Sequence, residues 1–541
     1  MLTLLSGSTN MAPTDALKVA IPLGLGLASA AYLTIKLATG NSFSTDKSIP
    51  IASLRPGDTT HDNEYYEDQD AFLQRCEEEY GPVFNIYYMG KSFSVISGPQ
   101  IREVFLNDDF SSSDAIEELT GMRTFLRSMI KSNRDVDSRV IHEVVRDNIS
   151  PNLPLFTPRI VKELEKNLEK ELGVCPAGEG GKLVEKPVLV LQEMVANAMA
   201  NIFVGPEIAK SRKVIDTFIT VTGDFGKIIQ RGIHRTSSWR TFLKRTEINV
   251  LNPLHVHVQV LVDAATPVIL ERRRQEAEAT EQGIEYKRPD DIMQRLLDNF
   301  DKYNFVDLED VCGHLLILIL ASVHTTTDTS TNLMYYMAAH PECLDKLYEE
   351  HQQVLDAIQQ ERELLRQDLM SKGEKIDADL DPSHDRELSA AAVKRMVYMD
   401  SFVREVFRNR TERLSLMHFA RKSIKLSSGI LISKGSNVII NMRSAHQGPD
   451  QGEDVTEFRP WRFVGKSKPV TKVGADFLPF GMGRHACPGR FLAMQELKTI
   501  GVLMVSKYSK IEVQDPKKLK SVLRSRLGEP TATGLIFTSR S

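Results

Sequence analysis

The sequence predicts a mainly α-helical protein that carries a small β-rich part and is preceded by a membrane-spanning helix. Between about residues 140 and 410, apolar residues recur with the period of amphipathic helices. Nearer the N-terminus, Val83–Tyr88 and Ser92–Ile96 are short β-like runs separated by a Met-Gly pair, which predicts a hairpin. An uncharged, largely apolar run from Val19 to Ile35 precedes both parts.

That apolar run has the length and composition of a short membrane-spanning helix. Lys18 and Lys36 flank it, and their side chains can extend towards the membrane interface. A cleaved signal peptide is the alternative, but residues 1–17 contain no Lys or Arg, as a basic leader would require. Basic residues follow the run, so the positive-inside rule places the main domain in the cytoplasm. We expect a short lumenal N-terminus (1–18), a transmembrane signal anchor (19–35), a Pro-containing linker (36–60) and the main domain (61–541).

Composition excludes some function classes without choosing one. The chain has 541 residues and a formal net charge of −4, which gives no indication of a nucleic-acid partner. Its cysteines are odd in number, scattered and without CxxC spacing, which argues against a disulfide framework or a zinc site. They fit a reducing compartment. The cysteines are Cys76, Cys175, Cys312, Cys343 and Cys487.

Shorter patterns divide the main domain. Apolar spacing from Asp68 to Tyr80 predicts a first helix. The charge-rich run Glu361–Arg386 keeps no steady helical period, so we interpret it as a solvated insertion. β-like pieces return at Met417–Lys425 and Val438–Met442, and a loop rich in Gly and Pro extends from Trp461 to Cys487.

The segment Phe480–Arg490, with the sequence FGMGRHACPGR, is the most specific motif of the chain. Cysteine binds metal as the thiolate, and nearby cations, N–H groups and the N-terminus of a following helix favour that form. A buried cysteine beside a basic turn is the competing interpretation. The segment resembles the haem-binding loop of the cytochrome P450 superfamily, Phe-x-x-Gly-x-Arg-x-Cys-x-Gly. The matching residues are Phe480, Gly483, Cys487 and Gly489, while His485 stands where that pattern has arginine.

The resemblance implies the cytochrome P450 fold and a haem b cofactor, with Cys487 as the axial ligand of the haem iron. His485 is the motif's candidate cation for a haem propionate. Arg146 is another candidate, because the segment His142–Arg146 is similar to the family's Trp-x-x-x-Arg helix with His in place of Trp. A surface arginine is the competing interpretation of Arg146. Arg421 is a third candidate.

A second motif lies upstream of the loop. Glu405 and Arg408 have the i, i+3 spacing that places both side chains on one helix face, and alone they indicate only an exposed ion pair. With Arg462 in Phe-Arg-Pro-Trp-Arg-Phe, they are similar to the family's Glu-x-x-Arg helix and Pro-x-Arg-Phe segment. The resemblance implies a buried network of Glu405, Arg408 and Arg462 that holds the cysteine loop.

A third motif interrupts an apolar helix. The run from Cys312 to Leu320 is apolar on almost every face, and a polar patch follows that includes His324 and Thr325. The patch resembles the family's Ala/Gly-Gly-x-Asp/Glu-Thr-Thr motif, in which Thr325 takes the position of the proton-delivery threonine. Two departures are Ser322 in place of glycine and His324 in place of the acid. His324 is a candidate proton relay or, equally, a hydrogen-bonded core histidine.

The resemblance implies a haem-thiolate monooxygenase similar to fungal microsomal members of secondary metabolism. Such an enzyme hydroxylates a lipophilic, steroid- or terpenoid-like substrate with O₂ at the endoplasmic reticulum membrane. A haem-thiolate isomerase or dehydratase and a non-catalytic haem-binding protein are the alternatives. The sequence shows no flavin or nicotinamide module, so electrons would come from a separate NADPH-cytochrome P450 reductase, with cytochrome b5 as a further donor.

Two residue sets follow from the same resemblance. Basic side chains near the loop are candidates for docking an acidic redox partner; they are Lys472, Arg484 and Arg490. Apolar side chains are candidates for the substrate pocket; they are Phe125, Met129, Leu416, Met417 and Leu535.

Overall fold

The computed structural model describes residues 49–120, 122–132, 139–176, 180–230, 252–376, 380–410, 412–524 and 533–540. The expected lumenal segment and signal anchor lie outside the described residues, as does most of the linker. Within the described part, Leu308–Ala339 is the one helix long and apolar enough to cross a membrane by length and composition. Of its apolar window, 56% is buried inside the protein, as in a core helix.

Helices dominate the chain. In the first half they are α1 (Asp62–Glu67), α2 (Gln69–Tyr80), α3 (Gln100–Leu106), α4 (Ser112–Thr120), α5 (Met122–Met129), α6 (Arg139–Val144), α7 (Leu153–Glu171), α8 (Pro187–Phe203), α9 (Arg212–Gln230) and α10 (Leu254–Gln282). In the second half they are α11 (Ile292–Asp298), α12 (Leu308–Ala339), α13 (Glu342–Ser371), α14 (Ala390–Arg395), α15 (Val397–Arg410), α16 (Met442–His446), α17 (Arg490–Lys507) and α18 (Leu519–Arg524). The mainly helical class is therefore confirmed.

The strands are short. They are β1 (Val83–Tyr88), β2 (Lys91–Ile96), β3 (Phe110–Ser111), β4 (Lys182–Val184), β5 (Leu414–Ala420), β6 (Ile424–Lys425), β7 (Leu431–Ile432), β8 (Asn437–Asn441), β9 (Tyr508–Val513) and β10 (Leu535–Ser539). The predicted hairpin is β1–β2, and Met89 and Gly90 in its turn both have positive φ (50° and 71°). That pair of left-handed residues matches the tight turns that suit the twist of paired strands.

Three sheets form from these strands. The largest has the order β1-β2-β8-β5-β3, in which β8 runs parallel to β2 and antiparallel to β5. A three-stranded sheet has the order β4-β10-β9, and β6 pairs with β7. The largest sheet thus joins the N-terminal hairpin to β8 and β5, two strands that come after α15 in the chain.

Helix α12 is the centre of the molecule. It begins after Asp307, whose carboxylate accepts the N–H of Asp310 at 3.0 Å and so satisfies one of the open donors at the helix N-terminus. Along its length it contacts α8, α9, α10, α15 and α17. At Gly313 an added Cβ would lie 2.5 Å from the carbonyl oxygen of Met129, so this close approach of α5 requires glycine.

The run Glu361–Arg386, interpreted as a solvated insertion without a steady helical period, is helical in its first part. Helix α13 continues through this run to Ser371, and the apolar Leu364 and Met370 are exposed there. A helix with solvent on most sides needs no apolar stripe, so its periodicity disappears from the sequence. Beyond the helix the chain folds back, and the buried Arg366 contacts the Asp385 carboxylate at 2.6 Å.

Candidate active site

The cysteine loop is held by its own backbone and by one arginine. The N–H of Cys487 donates to the carbonyl of Phe480 at 2.7 Å, which closes the loop. Arg490 donates to the carbonyl of Cys487 at 2.8 Å and to that of Thr471 at 3.2 Å. Gly483 has φ +63°, a conformation that other residues adopt only under strain.

Two opposing effects act on the pKa of the Cys487 thiol. Burial raises the pKa of the Cys487 thiol, whereas the backbone N–H groups of Gly489 and Arg490 and the charge of Arg490 lower it. Helix α17 begins directly after Gly489, so its N-terminal dipole also favours the anion. An added Cβ at Gly489 would lie 4.0 Å from the sulfur, in van der Waals contact with it.

The structure brings the three predicted network residues together. Arg408 donates to the Glu405 carboxylate from two nitrogens at 2.7 Å each, and the Arg462 Nε lies 3.1 Å from the same carboxylate. All three side chains are almost completely buried. Arg408 also donates to the carbonyls of His446 and Glu457, and Arg462 to that of Asp454. The network therefore fixes a stretch of irregular backbone ahead of the cysteine loop.

His446 is a residue that sequence reasoning missed. It is fully buried, and its Nε2 accepts the N–H of Leu478 at 3.1 Å, just before the loop. Its proton must then lie on Nδ1, which has no hydrogen-bond partner within the described residues. Burial and the charges of Arg413, Arg408 and Arg404 lower the pKa of His446 well below its usual value. The neutral ring connects the network to the loop, and a lone histidine between Ala445 and Gln447 gave no sequence signal of this.

Thr325 lies on α12 with its side chain exposed to the cavity. Its hydroxyl donates to the carbonyl of Ala321 at 2.9 Å and to that of Ser322 at 3.2 Å. Such back-bonding is the local distortion that threonine introduces into helices. His324 lines the same cavity and is half-buried. The polar patch predicted from the sequence thus faces open space rather than another helix.

One cavity of about 500 Å³ lies between α12 and the cysteine loop. Phe480 and Cys487 line it from the loop, and Ala321, His324 and Thr325 line it from α12. Other parts of its wall are apolar side chains of several elements, namely Ile141, Val145, Ile149, Phe203, Leu318, Phe407 and Leu416. The volume is within the range of small-molecule and cofactor sites.

Of the predicted pocket residues, Leu416 lines the cavity. It has φ +51° at a bulge where the register of β5 against β8 shifts between Ser415 and His418. Met129 and Leu535 are instead buried in the main hydrophobic core, and Met417 packs in the cluster of α2 and the hairpin. At this bulge the consecutive residues Ser415 and Leu416 both line the cavity, which the alternation of a regular strand would not produce. The side chain of Phe125 lies outside the described part.

Of the candidate propionate cations, Arg146 and Arg421 do not line the cavity. Arg146 is exposed and its Nε lies 2.6 Å from the Asp147 carboxylate, and it does not line the cavity. Arg421 contacts Asp114 at 2.6 Å and likewise lies outside the lining. His142, from the same motif as Arg146, does line the cavity, and burial lowers its pKa. The side chain of His485 lies outside the described part.

The predicted docking residues have different environments. Arg490 is occupied with the loop carbonyls, and Arg484 forms an ion pair with Asp108. Lys472 donates to the carbonyl of Ser467 at 3.4 Å from an exposed position. A common patch of these three cations stays a prediction.

The described residues fit a haem held by a single thiolate. The described part of the chain has no cluster of three His, Cys, Asp or Glu side chains that could hold a bare metal ion. The cavity instead offers one sulfur, an apolar wall and a glycine-bearing loop at its edge. Thiolate ligation with apolar surroundings is the arrangement that activates dioxygen at haem iron.

Fold and site together define a haem-thiolate protein. Residues 64–531 match the family model for cytochrome P450, and the chain belongs to that family. Its cofactor is the iron-haem group characteristic of the family.

Several proteins with similar sequences come from fungi. The chain is 28% identical to the cytochrome P450 monooxygenase paxP of Penicillium paxilli over 62% of this chain and 61% of that protein. It is 24% identical to cytochrome P450 monooxygenase 151 of Postia placenta over 84% of this chain and 85% of that protein. Among solved structures, the retinoic-acid-bound cyanobacterial CYP120A1 superposes with a TM-score of 0.60 at 18% identity, covering 91% of this chain and 99% of that one. The last likeness shows the shared fold.

Proposed function

We propose that the chain is a membrane-anchored monooxygenase that hydroxylates a bulky lipophilic substrate of steroid- or terpenoid-like chemistry. The observation that carries the proposal is the shared cavity, into which both Cys487 and Thr325 extend their side chains. A thiolate and a hydroxyl facing one apolar space are the two groups that haem-thiolate oxygenation requires of the protein. The names of the fungal relatives support the same activity.

The haem, when bound, supplies dioxygen activation, and the Cys487 thiolate donates electron density that favours O–O cleavage. The chain's own residues bind the substrate, exclude water and transfer protons. The apolar wall, including Leu318 and Phe203, excludes water and binds the substrate by burial of apolar surface. Thr325 holds a hydroxyl at the helix surface from which a proton can be passed. His324, on the same wall, is a second group able to carry a proton.

Electrons are proposed to come from a separate NADPH-cytochrome P450 reductase, with cytochrome b5 as a further donor. Residues 19–35 are proposed to anchor the domain in the endoplasmic reticulum membrane, with residues 61–541 in the cytoplasm. The length and lack of charge of that run, and the basic residues after it, support this placement.

The decisive test is spectroscopic. The reduced, CO-bound protein is expected to show the red-shifted absorption band of a thiolate-ligated haem, and Cys487→Ala is expected to lose it. A folded protein without the band would contradict the site assignment. Cys312→Ala is the matched control, because that cysteine is buried on the central helix and does not line the cavity.

Activity is tested with NADPH, a reductase and a panel of lipophilic compounds chosen by substrate-induced spin-state shifts of the haem. Isotopically labelled dioxygen is expected to leave one labelled oxygen atom in the product. A product without label would favour the isomerase or dehydratase alternative instead.

A further inference from the structure

One part of the cavity wall is polar and carries a permanent positive charge. Leu318 on α12 belongs to the apolar part of the wall. Further along the same helix, Asp328, Thr329 and Asn332 line the cavity. Arg410, the last residue of α15, lines it beside Asn332. It is the one Arg or Lys side chain among the described residues of the lining. A largely apolar cavity therefore has a single fixed cation in its described wall.

Arg410 is held in place by Asn332. Only 9% of Arg410 is exposed, and its Nε donates to Asn332 Oδ1 at 2.8 Å. The amide nitrogen of Asn332 donates in turn to the carbonyl oxygen of Asp328 at 2.8 Å and to its carboxylate at 3.2 Å. These bonds orient the amide so that its oxygen faces the guanidinium. The direction of the Arg410 side chain is thus set by α12.

The acidic side chains of the same lining are hydrogen-bonded or largely uncharged. Asp328 accepts the Asn332 amide, and Glu412 accepts the hydroxyl of Tyr65 at 3.2 Å. Burial raises the pKa of Glu496 to about 8, so at pH 7 most of the Glu496 carboxyl groups carry no charge. These acids leave the polar part of the cavity able to receive an anion beside the arginine.

A buried guanidinium in an apolar cavity recognises a particular kind of molecule. Arginine presents its N–H donors in a planar fork that can pair with both oxygens of a carboxylate. Such a pair is strong where water is excluded, because the local dielectric constant is low. The apolar wall binds a lipophilic body by burial of apolar surface. The combination selects a lipophilic carboxylic acid over a neutral molecule of the same shape.

The position of the cation along α12 also indicates where such an acid would be oxidised. Asn332 lies about two turns beyond Thr325, or roughly 10 Å along the helix axis. Thr325 and Cys487 line the cavity and mark the place of oxygenation under the proposed function. A carboxylate at Arg410 therefore places the oxidised carbon several bonds away from the carboxyl group.

We propose that Arg410 binds the carboxylate of the substrate, and that the substrate is a lipophilic carboxylic acid. Asn332 is the positioning residue that aims the guanidinium. The oxidation of the acid rests on the proposed monooxygenase function, whereas its binding requires only the haem-loaded protein. The carboxylates of haem are the other source of the same chemistry. Their motif candidate, His485, belongs to the cysteine loop and not to α15, so we infer the substrate as the source for Arg410.

Substrate-induced spin-state shifts of the haem-loaded protein measure the binding. The probes are matched pairs of a carboxylic acid and its methyl ester, drawn from diterpenoid, steroid and long-chain fatty acids. In the parent protein at least one acid is expected to bind tighter than its ester by roughly 30-fold or more, the loss typical of truncating a buried charge pair. Arg410→Gln should abolish that preference. Arg410→Lys keeps the charge but not the planar fork and should retain part of it.

Arg366→Gln is the matched control. It also removes a buried arginine, but Arg366 pairs with Asp385 and does not line the cavity. Its preference for acids over esters should equal that of the parent protein. If Arg410→Gln does not fold, the parent's own preference and Asn332→Leu decide. Asn332→Leu keeps the cation but removes its positioning bond, so it should weaken binding of the acid and leave binding of the ester unchanged.

Resonance Raman spectra of the substrate-free, haem-loaded protein distinguish the two sources of carboxylate. If Arg410 binds the substrate, the bending modes of the haem propionates should be the same in the parent and in Arg410→Gln. A shift of these modes, together with no preference for acids, would mean that Arg410 binds a haem carboxylate. The inference about the substrate would then be overturned.

The outcomes also separate this inference from the proposed function. If acids bind no better than their esters across the panel, the role of Arg410 is overturned while the monooxygenase function stands. Tight, Arg410-dependent binding of an acid that yields no product labelled from dioxygen would support the receptor role and contradict the proposed function. An acid oxidised at the carbon next to its carboxyl group would contradict the placement of that group at Arg410.

Discussion

The two sides of the active-site cavity differ in how far apart in the sequence their hydrogen-bonded groups lie. On the cysteine side, Arg408 and His446 bond to backbone groups that are distant in sequence, those of Glu457 and Leu478, and Arg462 bonds to the equally distant carboxylate of Glu405. On the central helix, several polar side chains bond one turn back along the same helix.

Three bonds show this local pattern. Thr325 donates to Ala321, Thr329 to Thr325, and Asn332 to Asp328. A side chain that joins distant segments cannot change without disturbing all of them. A side chain whose hydrogen bonds are local can be substituted while the fold persists. We therefore expect the stability of the protein to depend on the cysteine side of the cavity, and proton transfer to depend on side chains of α12.

Among the substitutions that test this difference between the two sides, Glu405→Ala is expected to reduce stability most. Removing the carboxylate leaves Arg408 and Arg462 buried without their counter-charge, which typically destabilises a protein by about 3–5 kcal/mol. Denaturant unfolding should show the loss, and the CO-bound band should be weak or absent. The control is Glu361→Ala, which breaks an exposed ion pair with Arg395 and should leave both measurements unchanged. Equal stability of the two variants would contradict the assigned role of the network.

His446→Phe tests the link between the network and the loop. The ring volume is kept, but the N–H of Leu478 loses its acceptor in a buried position, at a cost of about 1–3 kcal/mol. We expect part of the CO-bound band to shift to the position of haem without thiolate ligation. His446→Gln, which can present an acceptor, should recover some of the thiolate band. A spectrum unchanged in His446→Phe would show that the loop does not depend on this bond.

Leu416 tests the cavity wall where the backbone is strained. Leu416→Ala should enlarge the pocket and alter which lipophilic compounds give spin-state shifts. Leu416→Gly removes the same side chain and also the left-handed penalty of about 1–2 kcal/mol. We therefore expect the glycine variant to be at least as stable as the alanine variant, the reverse of the usual order. Thermal unfolding of the pair measures this, and a less stable glycine variant would contradict strain at Leu416.

Thr325→Ala should have the smallest effect on stability, within about 0.5 kcal/mol, because its hydroxyl bonds only to its own helix. Haem binding should be intact, while reducing equivalents are diverted to peroxide. Thr325→Ser, which restores a hydroxyl, should recover coupling. Unchanged product yield in the alanine variant would remove Thr325 from proton delivery.

Local patterns in the sequence determined much of the fold. The spacing from Asp68 to Tyr80 indicated helix α2, and the structure begins it at Gln69, where the Asp68 carboxylate accepts the N–H of Ala71 at 3.0 Å. The hairpin followed from alternation and a two-residue turn. The cysteine motif could be located because thiolate ligation imposes fixed residue types at fixed spacing on one short loop.

The sequence by itself thus determined the mainly helical class, the cytochrome P450 family and the residues whose chemistry is written in short motifs. Only the tertiary structure decided that His446 joins the Glu405 network to the loop and that Glu496 lies in the cavity wall. It also placed Leu416 rather than Met417 at the cavity, and it showed that Arg146 forms an ion pair with Asp147. The physical reason is that burial, bulges and long-range hydrogen bonds depend on contacts between segments that are far apart in the sequence. The periodicity of a single segment does not specify those contacts.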